Sequence, residues 1–216
     1  MIKGAIFDVD GTLLDTMHLW HDSGARYLQS IGITAEPGLG DKLFAMTVDM
    51  GAHYLIREYD LQLPHEEVKR SINAIVETPY IETATFRPGG LELLKAMKAE
   101  NIPMTVATST GKPFITGVFQ RLGIMDYFEE LFTCPEMGVS KSDPFIFHEA
   151  AKAMGTKPEE TWLFEDGLYS IKTAKAAGFK VVGIYDEVSK ADQEEIKALS
   201  DIYVRELTEF DIGGAK

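Results

Sequence analysis

The run Asp8-Val9-Asp10-Gly11-Thr12 sets two carboxylates two positions apart behind an apolar stretch at 2–7 that only Lys3 and Gly4 interrupt. In a strand, side chains alternate between faces, so Asp8 and Asp10 point to the same side. Two anions placed in this way repel unless they share a proton or a cation. Gly11 permits a close backbone approach, and the hydroxyl and N–H of Thr12 can face an oxyanion. A carboxylate nucleophile, a neighbouring acid/base and a divalent metal are what phosphoryl transfer through an aspartyl-phosphate requires. The plain alternative is a polar turn closing a strand. The apolar strand followed by the whole Asp-x-Asp-Gly-Thr order favours chemistry over that alternative.

Three further groups follow predicted strands. Thr108-Ser109-Thr110-Gly111-Lys112 offers hydroxyls and free N–H groups to phosphoryl oxygens, although Ser and Thr also cap many helices. Lys141 stands in Val139-Ser140-Lys141-Ser142-Asp143-Pro144; a loop lysine is usually solvated, but beside two aspartates it would neutralise them. Glu165-Asp166-Gly167 closes an apolar run with two adjacent acids, hard oxygen ligands of the kind Mg²⁺ takes, or simply an acidic helix start. Cys134 is the single cysteine, so no internal disulfide forms, and it reads as a small buried hydrophobe rather than a nucleophile.

The elements that must position these groups alternate. Strand-like runs occur at 5–8, 104–108, 131–133, 161–164, 180–185 and 202–204, and amphipathic stretches at 90–98, 114–122, 145–154, 169–177 and 191–199. Alternation of this kind predicts an α/β fold with a doubly wound parallel sheet, whose ligands bind at the carboxyl ends of the strands. About a hundred residues separate Asp8 from Thr108, where a βα unit needs roughly 30. The excess reads as helical, at 18–31, 41–59 and 64–76, and predicts an inserted helical cap domain at 16–79 within a core domain of 1–15 and 80–216. Asp15-Thr16 marks the exit, and Pro79, Pro88, Gly89 and Gly90 mark the return.

Taken in order, the Asp-x-Asp-Gly-Thr run, the Ser/Thr group, the lysine and the acidic pair resemble the haloacid dehalogenase-like superfamily across essentially the whole chain. The resemblance is nearest to its branch with a small helical cap, which includes beta-phosphoglucomutase and many sugar-phosphate phosphatases. It implies a Rossmann-like core in which Asp8 is the nucleophile and Asp10 the general acid/base. It further implies that Thr108 and the Ser109 N–H bind the phosphoryl group and that Lys141 pairs with Asp8. Mg²⁺ would be held by Asp8, the Asp10 carbonyl and Asp166, with Glu165 a direct or outer ligand. Ser142 and Gly167 stand where the family often has Pro and Ser, changes of loop shape and not of reacting groups. In the cap, Trp20 replaces the histidine of the mutases, with His18 and His21 beside it, and Ala45-Met46-Thr47-Val48-Asp49-Met50 carries no basic residue where they have an arginine. An aromatic residue at that place can stack on a sugar face or simply pack within the cap.

The resulting expectation is a Mg²⁺-dependent phosphatase of a small phosphorylated metabolite, a sugar or polyol phosphate, with a beta-phosphoglucomutase-like phosphomutase as the alternative. A receiver domain uses similar residue types in the opposite order, and a catalytically dead binding module would not keep every reacting group. A net charge of −13 disfavours nucleic acid and anionic membrane as partners. No apolar run approaches the ~20 residues of a membrane span, the strand begins at once without room for a signal peptide, and the lone cysteine suits a reducing cytoplasm. A monomer or weak dimer is expected.

Overall fold

A computed structural model describes residues 2–44 and 46–214; Met1, Ala45, Ala215 and Lys216 lie outside the described residues. In chain order the elements are β1 (Gly4–Phe7), β2 (Leu14–Asp15), α1 (Met17–His21), α2 (Ser23–Ser30), α3 (Leu39–Phe44), α4 (Val48–Glu58), α5 (His65–Thr83), β3 (Thr85–Phe86), α6 (Gly90–Ala99), β4 (Met104–Thr108), α7 (Lys112–Leu122), β5 (Glu130–Thr133), α8 (Cys134–Met137), α9 (Phe145–Ala153), β6 (Thr161–Glu165), α10 (Leu168–Ala176), β7 (Lys180–Ile184), α11 (Gln193–Leu199) and β8 (Ile202–Val204). The chain forms two compact units, Met1–Asp15 with Thr85–Lys216, and Thr16–Ala84.

The first unit is built on a six-stranded sheet in the order β5-β4-β1-β6-β7-β8, with every pairing parallel. This is the predicted doubly wound α/β fold. Its four inner strands, β4, β1, β6 and β7, are short runs buried along nearly their whole length, as a sheet covered by helices on both faces requires. Phe7 stacks on Phe164 of the neighbouring strand at 4.6 Å between ring centroids, so the central pair is locked by side chains as well as by its ladder. The chain runs from β1 outward through β4 and β5, then returns to place β6 on the other flank of β1. The carboxyl ends of β4, β1 and β6 therefore meet where the winding reverses, which is where such sheets bind ligands.

Expectation and structure differ in three places. β1 ends at Phe7, so Asp8 and Asp10 belong to the turn beyond the strand and not to its alternation. That turn is tight: Leu13 and Leu14 N–H both donate to the Val9 carbonyl, and Gly11 takes a φ of +82°. β2 and β3 form an antiparallel pair, Leu14 with Phe86 and Asp15 with Thr85, which ties together the two chain crossings and is too short to show as a sequence period. In the second unit the run 18–31 divides at Asp22 into α1 and α2, the described part of 41–59 holds two helices, α3 ending at Phe44 and α4 starting at Val48, and α5 continues through Pro79 to Thr83. Proline removes one N–H from the ladder; near the helix end the chain continues past it, and Thr83 Oγ1 donates to the Pro79 carbonyl at 2.6 Å. The return accordingly falls between Ala84 and Thr85.

The return is pinned by Gly89. Its φ is +84°, and a Cβ there would lie 2.3 Å from the Thr208 nitrogen, which is backbone and cannot swing away. Gly89→Ala should destabilise the protein by about 2–4 kcal/mol. Gly123→Ala, at φ +69° with open space around its Cβ, should cost only about 1 kcal/mol. Urea unfolding of the two variants checks the ordering; equal losses would mean that the contact with Thr208 does not constrain the fold.

Candidate active site

Lys141 is the centre of the site. It stands in the loop between α8 and α9, 2% exposed, and its ammonium donates to Asp8 Oδ1 and, at 2.9 Å, to Glu165 Oε2. An ammonium buried this deeply survives only if anions replace its water. Burial pulls its pKa down, but Asp8 and Glu165 more than offset that, and Lys141 is held well above the ordinary lysine value.

Glu165, at the end of β6, is fully committed. Its Oε2 also accepts from Ser170 Oγ at 2.7 Å, and its Oε1 accepts from the backbone N–H of Gly167 at 2.9 Å and of Asp166 at 3.2 Å. It thus acts as the anchor that aims Lys141 at Asp8. Asp166 is held from across the sheet by Thr12, whose Oγ1 donates to Asp166 Oδ1 at 2.8 Å. The Thr12 hydroxyl expected to face an oxyanion therefore faces a carboxylate.

Asp8, Glu165 and Asp166 bring one carboxylate oxygen each within 4.8 Å of one another, all buried. Three carboxylates face one lysine. Burial first, and then each other's charge, raises Asp8 to about 8 and Asp166 well above the usual carboxylate range, while Lys141 pulls Asp8 the other way. The cluster has more hard oxygen donors than its lysine can balance, and that donor set fits a small divalent cation.

Asp10 is displaced from this cluster. Its Oδ2 accepts from Thr110 Oγ1 at 2.7 Å, which leaves the carboxyl at the half-exposed rim, one turn of loop away from the buried three. Thr108 is buried at the end of β4 and its Oγ1 accepts from the Thr110 N–H at 3.1 Å, while Ser109 is exposed with its hydroxyl 3.5 Å from the Tyr169 hydroxyl. Cys134 is buried, packed in the core, and burial pushes its thiol up, as suits a structural cysteine.

Of the residues singled out in the sequence, Thr108 and Glu165 end β4 and β6, and Asp8, Asp10, Ser109, Lys141 and Asp166 lie in the loops at this same edge of the sheet. Thr110 and Ser170, which orient Asp10 and Glu165, were not singled out for those roles. Arg87 was missed as well: it donates to the Gly11 carbonyl at 2.7 Å and to Asp186 Oδ2 at 2.6 Å, bracing the loop that carries Asp8 and Asp10. No sequence pattern marks it, since its partners lie 76 and 99 positions away.

A family model described as haloacid dehalogenase-like hydrolase matches residues 2–178. The chain belongs to that family. Among relatives of this haloacid dehalogenase-like hydrolase, validoxylamine A 7'-phosphate phosphatase of Streptomyces hygroscopicus subsp. limoneus is 26% identical over 97% of this chain and 96% of its own. Glyceraldehyde 3-phosphate phosphatase of Pyrococcus furiosus is 30% identical over 97% and 91%. The crystal structure of CbbY from Rhodobacter sphaeroides in complex with phosphate shares the fold with a TM-score of 0.85, at 22% identity over 97% and 96% of the two chains. Among the described residues no helix is long and apolar enough to cross a membrane.

The unbalanced carboxylates make a stability prediction. A carboxyl raised in the folded state contributes stability below its unfolded pKa and loses that contribution as pH rises through the folded value, here from about 3.8 to about 8 for Asp8. In chelator the protein should therefore lose stability as pH rises across that window. Asp166→Asn, which removes one buried charge, should gain about 1–2 kcal/mol at pH 8 and flatten the dependence. Thermal melts across pH check this; an unchanged profile would mean that the cluster is not repulsive.

Proposed function

We propose that this hydrolase is a Mg²⁺-dependent phosphatase of small phosphorylated metabolites, sugar or polyol phosphates, acting through an aspartyl-phosphate on Asp8. The observation that carries the reading is the buried Lys141 clamped on Asp8 by Glu165, with Asp166 beside them. That arrangement strips water from one carboxylate oxygen, fixes its direction and leaves an electropositive group where a phosphoryl oxygen would sit.

Asp8 attacks phosphorus and the bond to the substrate's oxygen breaks, with Asp10 giving its proton to the departing alcohol. Asp10, now a carboxylate, takes a proton from water as that water attacks the phosphorus. Phosphate leaves and Asp8 is regenerated. Thr110 holds the Asp10 carboxyl in place for both transfers, and Asp10's half-exposed position gives it the access to leaving group and water that the buried Asp8 lacks. Thr108 and the Ser109 N–H receive the phosphoryl oxygens, and Lys141 balances their charge. Asp8, the Asp10 carbonyl and Asp166 would hold Mg²⁺, with Glu165 adding its charge from behind Lys141; the ion supplies further neutralisation of the transferring group. The relatives named for phosphorylated carbohydrates and for glyceraldehyde 3-phosphate support the substrate class. The unit Thr16–Ala84 serves as the cap, and the protein works in the cytoplasm as a monomer or weak dimer without nucleic acid or membrane partners.

Hydrolysis is favoured over isomerisation by the inserted unit. Trp20 packs edge-on against Tyr80 at 6.0 Å between centroids, and the Thr47 hydroxyl caps α4 by accepting from the Met50 N–H at 3.2 Å, so neither position offers a cation or an imidazole to a second phosphate. His21 is engaged with Asp22 at 2.9 Å and Asp41 at 3.0 Å, one carboxylate on each ring nitrogen, and these bonds hold it above the usual histidine value and link α1 to α3.

Asp8→Asn keeps the size of the side chain and removes the nucleophilic anion. Turnover of a sugar phosphate should fall by at least about 10³-fold while the circular dichroism spectrum is retained. Activity within a few-fold of the unaltered enzyme would exclude Asp8 as nucleophile. The second test supplies beta-glucose 1-phosphate, Mg²⁺ and a trace of glucose 1,6-bisphosphate and follows both products by ³¹P NMR. Free phosphate should accumulate; rapid formation of glucose 6-phosphate with little phosphate would assign the chain to the mutases.

A further inference from the structure

Among the described residues a second set of ligand-type side chains converges, away from the core cluster and unused by the proposed chemistry. Asp49 lies in the first turn of α4, His53 one turn further on, and His65 opens α5. One ligand atom from each lies within 4.8 Å of the others. His53 Nδ1 is 3.0 Å and His65 Nε2 3.1 Å from the Asp49 carbonyl oxygen. The Asp49 carboxylate stands 3.8 Å from His53 Nδ1 through Oδ2 and 3.7 Å from His65 Nε2 through Oδ1. Two ligands of a tetrahedral ion with bonds of ~2.0–2.1 Å are roughly 3.3 Å apart, and the carboxylate-to-nitrogen separations of 3.7 and 3.8 Å need only a small side-chain adjustment to reach it.

The rings themselves point the same way. They lie nearly face to face, 3.7 Å between centroids and 31° apart. One ring nitrogen from each side chain thus faces the same point, and imidazole nitrogen is a common ligand of transition-metal ions. The Asp49 carboxylate already draws a cation: Lys69 Nζ donates to its Oδ1 at 2.9 Å and holds its pKa below the usual range. Oδ2, on the side of His53, remains for a second cation. The side chains of Asp49 and His53 are exposed and that of His65 is half-buried, so an ion can reach the point they surround.

We propose that Asp49, His53 and His65 form a binding site for a divalent transition-metal ion, which joins the first turn of α4 to the start of α5. Two imidazoles and one carboxylate suit Zn²⁺ and its neighbours, whereas Mg²⁺ prefers an all-oxygen shell. The ligands come from two helices of one unit, so the ion would stabilise that unit by mass action.

The test uses the full chain, freed of metal and kept in millimolar Mg²⁺ so that the core carboxylates are occupied. Calorimetric titration with Zn²⁺ should show a stoichiometric site that His53→Ala or His65→Ala weakens by roughly tenfold or more. Lys69→Met, which removes a competing positive charge, should tighten it. On the unaltered chain, one equivalent of Zn²⁺ should move the ring NMR signals of His53 and His65 and leave those of His18 and His148 in place, a readout that does not depend on any variant folding. Unmoved His53 and His65 signals at one equivalent, or equal Zn²⁺ affinity in the unaltered protein and both histidine variants, would overturn the proposal.

Discussion

Lys141 brings a full positive charge into an interior that cannot hydrate it, and much of the surrounding architecture answers to that fact. Two carboxylates must come to it, one from the loop after β1 and one from the end of β6. Those loops are adjacent only because β6 pairs directly with β1, Phe7 opposite Phe164. Ser170 and two backbone N–H groups then hold Glu165, so that its orientation does not depend on the lysine alone. Removing any one partner would leave a buried charge uncompensated, at a cost of about 3–5 kcal/mol. The arrangement therefore fixes the direction of the Asp8 carboxylate, as the proposed displacement at phosphorus would require.

The same site is also overloaded. Asp166 adds a third buried anion, which the Thr12 hydroxyl holds by donating to its Oδ1. A fold selected for stability alone would put an asparagine or an apolar residue at position 166. Keeping a carboxylate there makes sense if a cation completes the cluster, and burial together with the repulsion of neighbouring carboxylates is the physical content of the raised Asp8 and Asp166 values.

Much of this was legible in the sequence because it is local. Each chemical group directly follows a short apolar run, so strand periodicity and residue type together place Asp8, Thr108 and Glu165 at strand ends. What was not legible is pairing at long range. Arg87 reaches Gly11 and Asp186, Thr110 reaches Asp10 across 100 positions, and Thr12 reaches Asp166 across 154. Nothing in a run of neighbours encodes such partners. The helical insertion was misjudged in its breaks for a related reason: at Asp22, between α1 and α2, His21 engages Asp22 and the distant Asp41, and Ser23 Oγ donates to the Trp20 carbonyl. Pro79 misled in the opposite sense, since a proline near a helix end costs one hydrogen bond and need not stop the helix.

The central claim is that Asp8, Glu165 and Asp166 carry more negative charge than Lys141 can balance and that Mg²⁺ supplies the difference. Its most direct test is a binding measurement on the metal-free chain at pH 7, with proton release followed as Mg²⁺ is added. Burial and mutual repulsion raise both Asp8 and Asp166, so the cluster holds protons more tightly than free carboxylates do, and an incoming cation should displace them. The account predicts proton release that saturates with Mg²⁺, together with a melting temperature that climbs with Mg²⁺ concentration, both lost in Asp166→Asn. A melting temperature and proton balance indifferent to millimolar Mg²⁺ would contradict it.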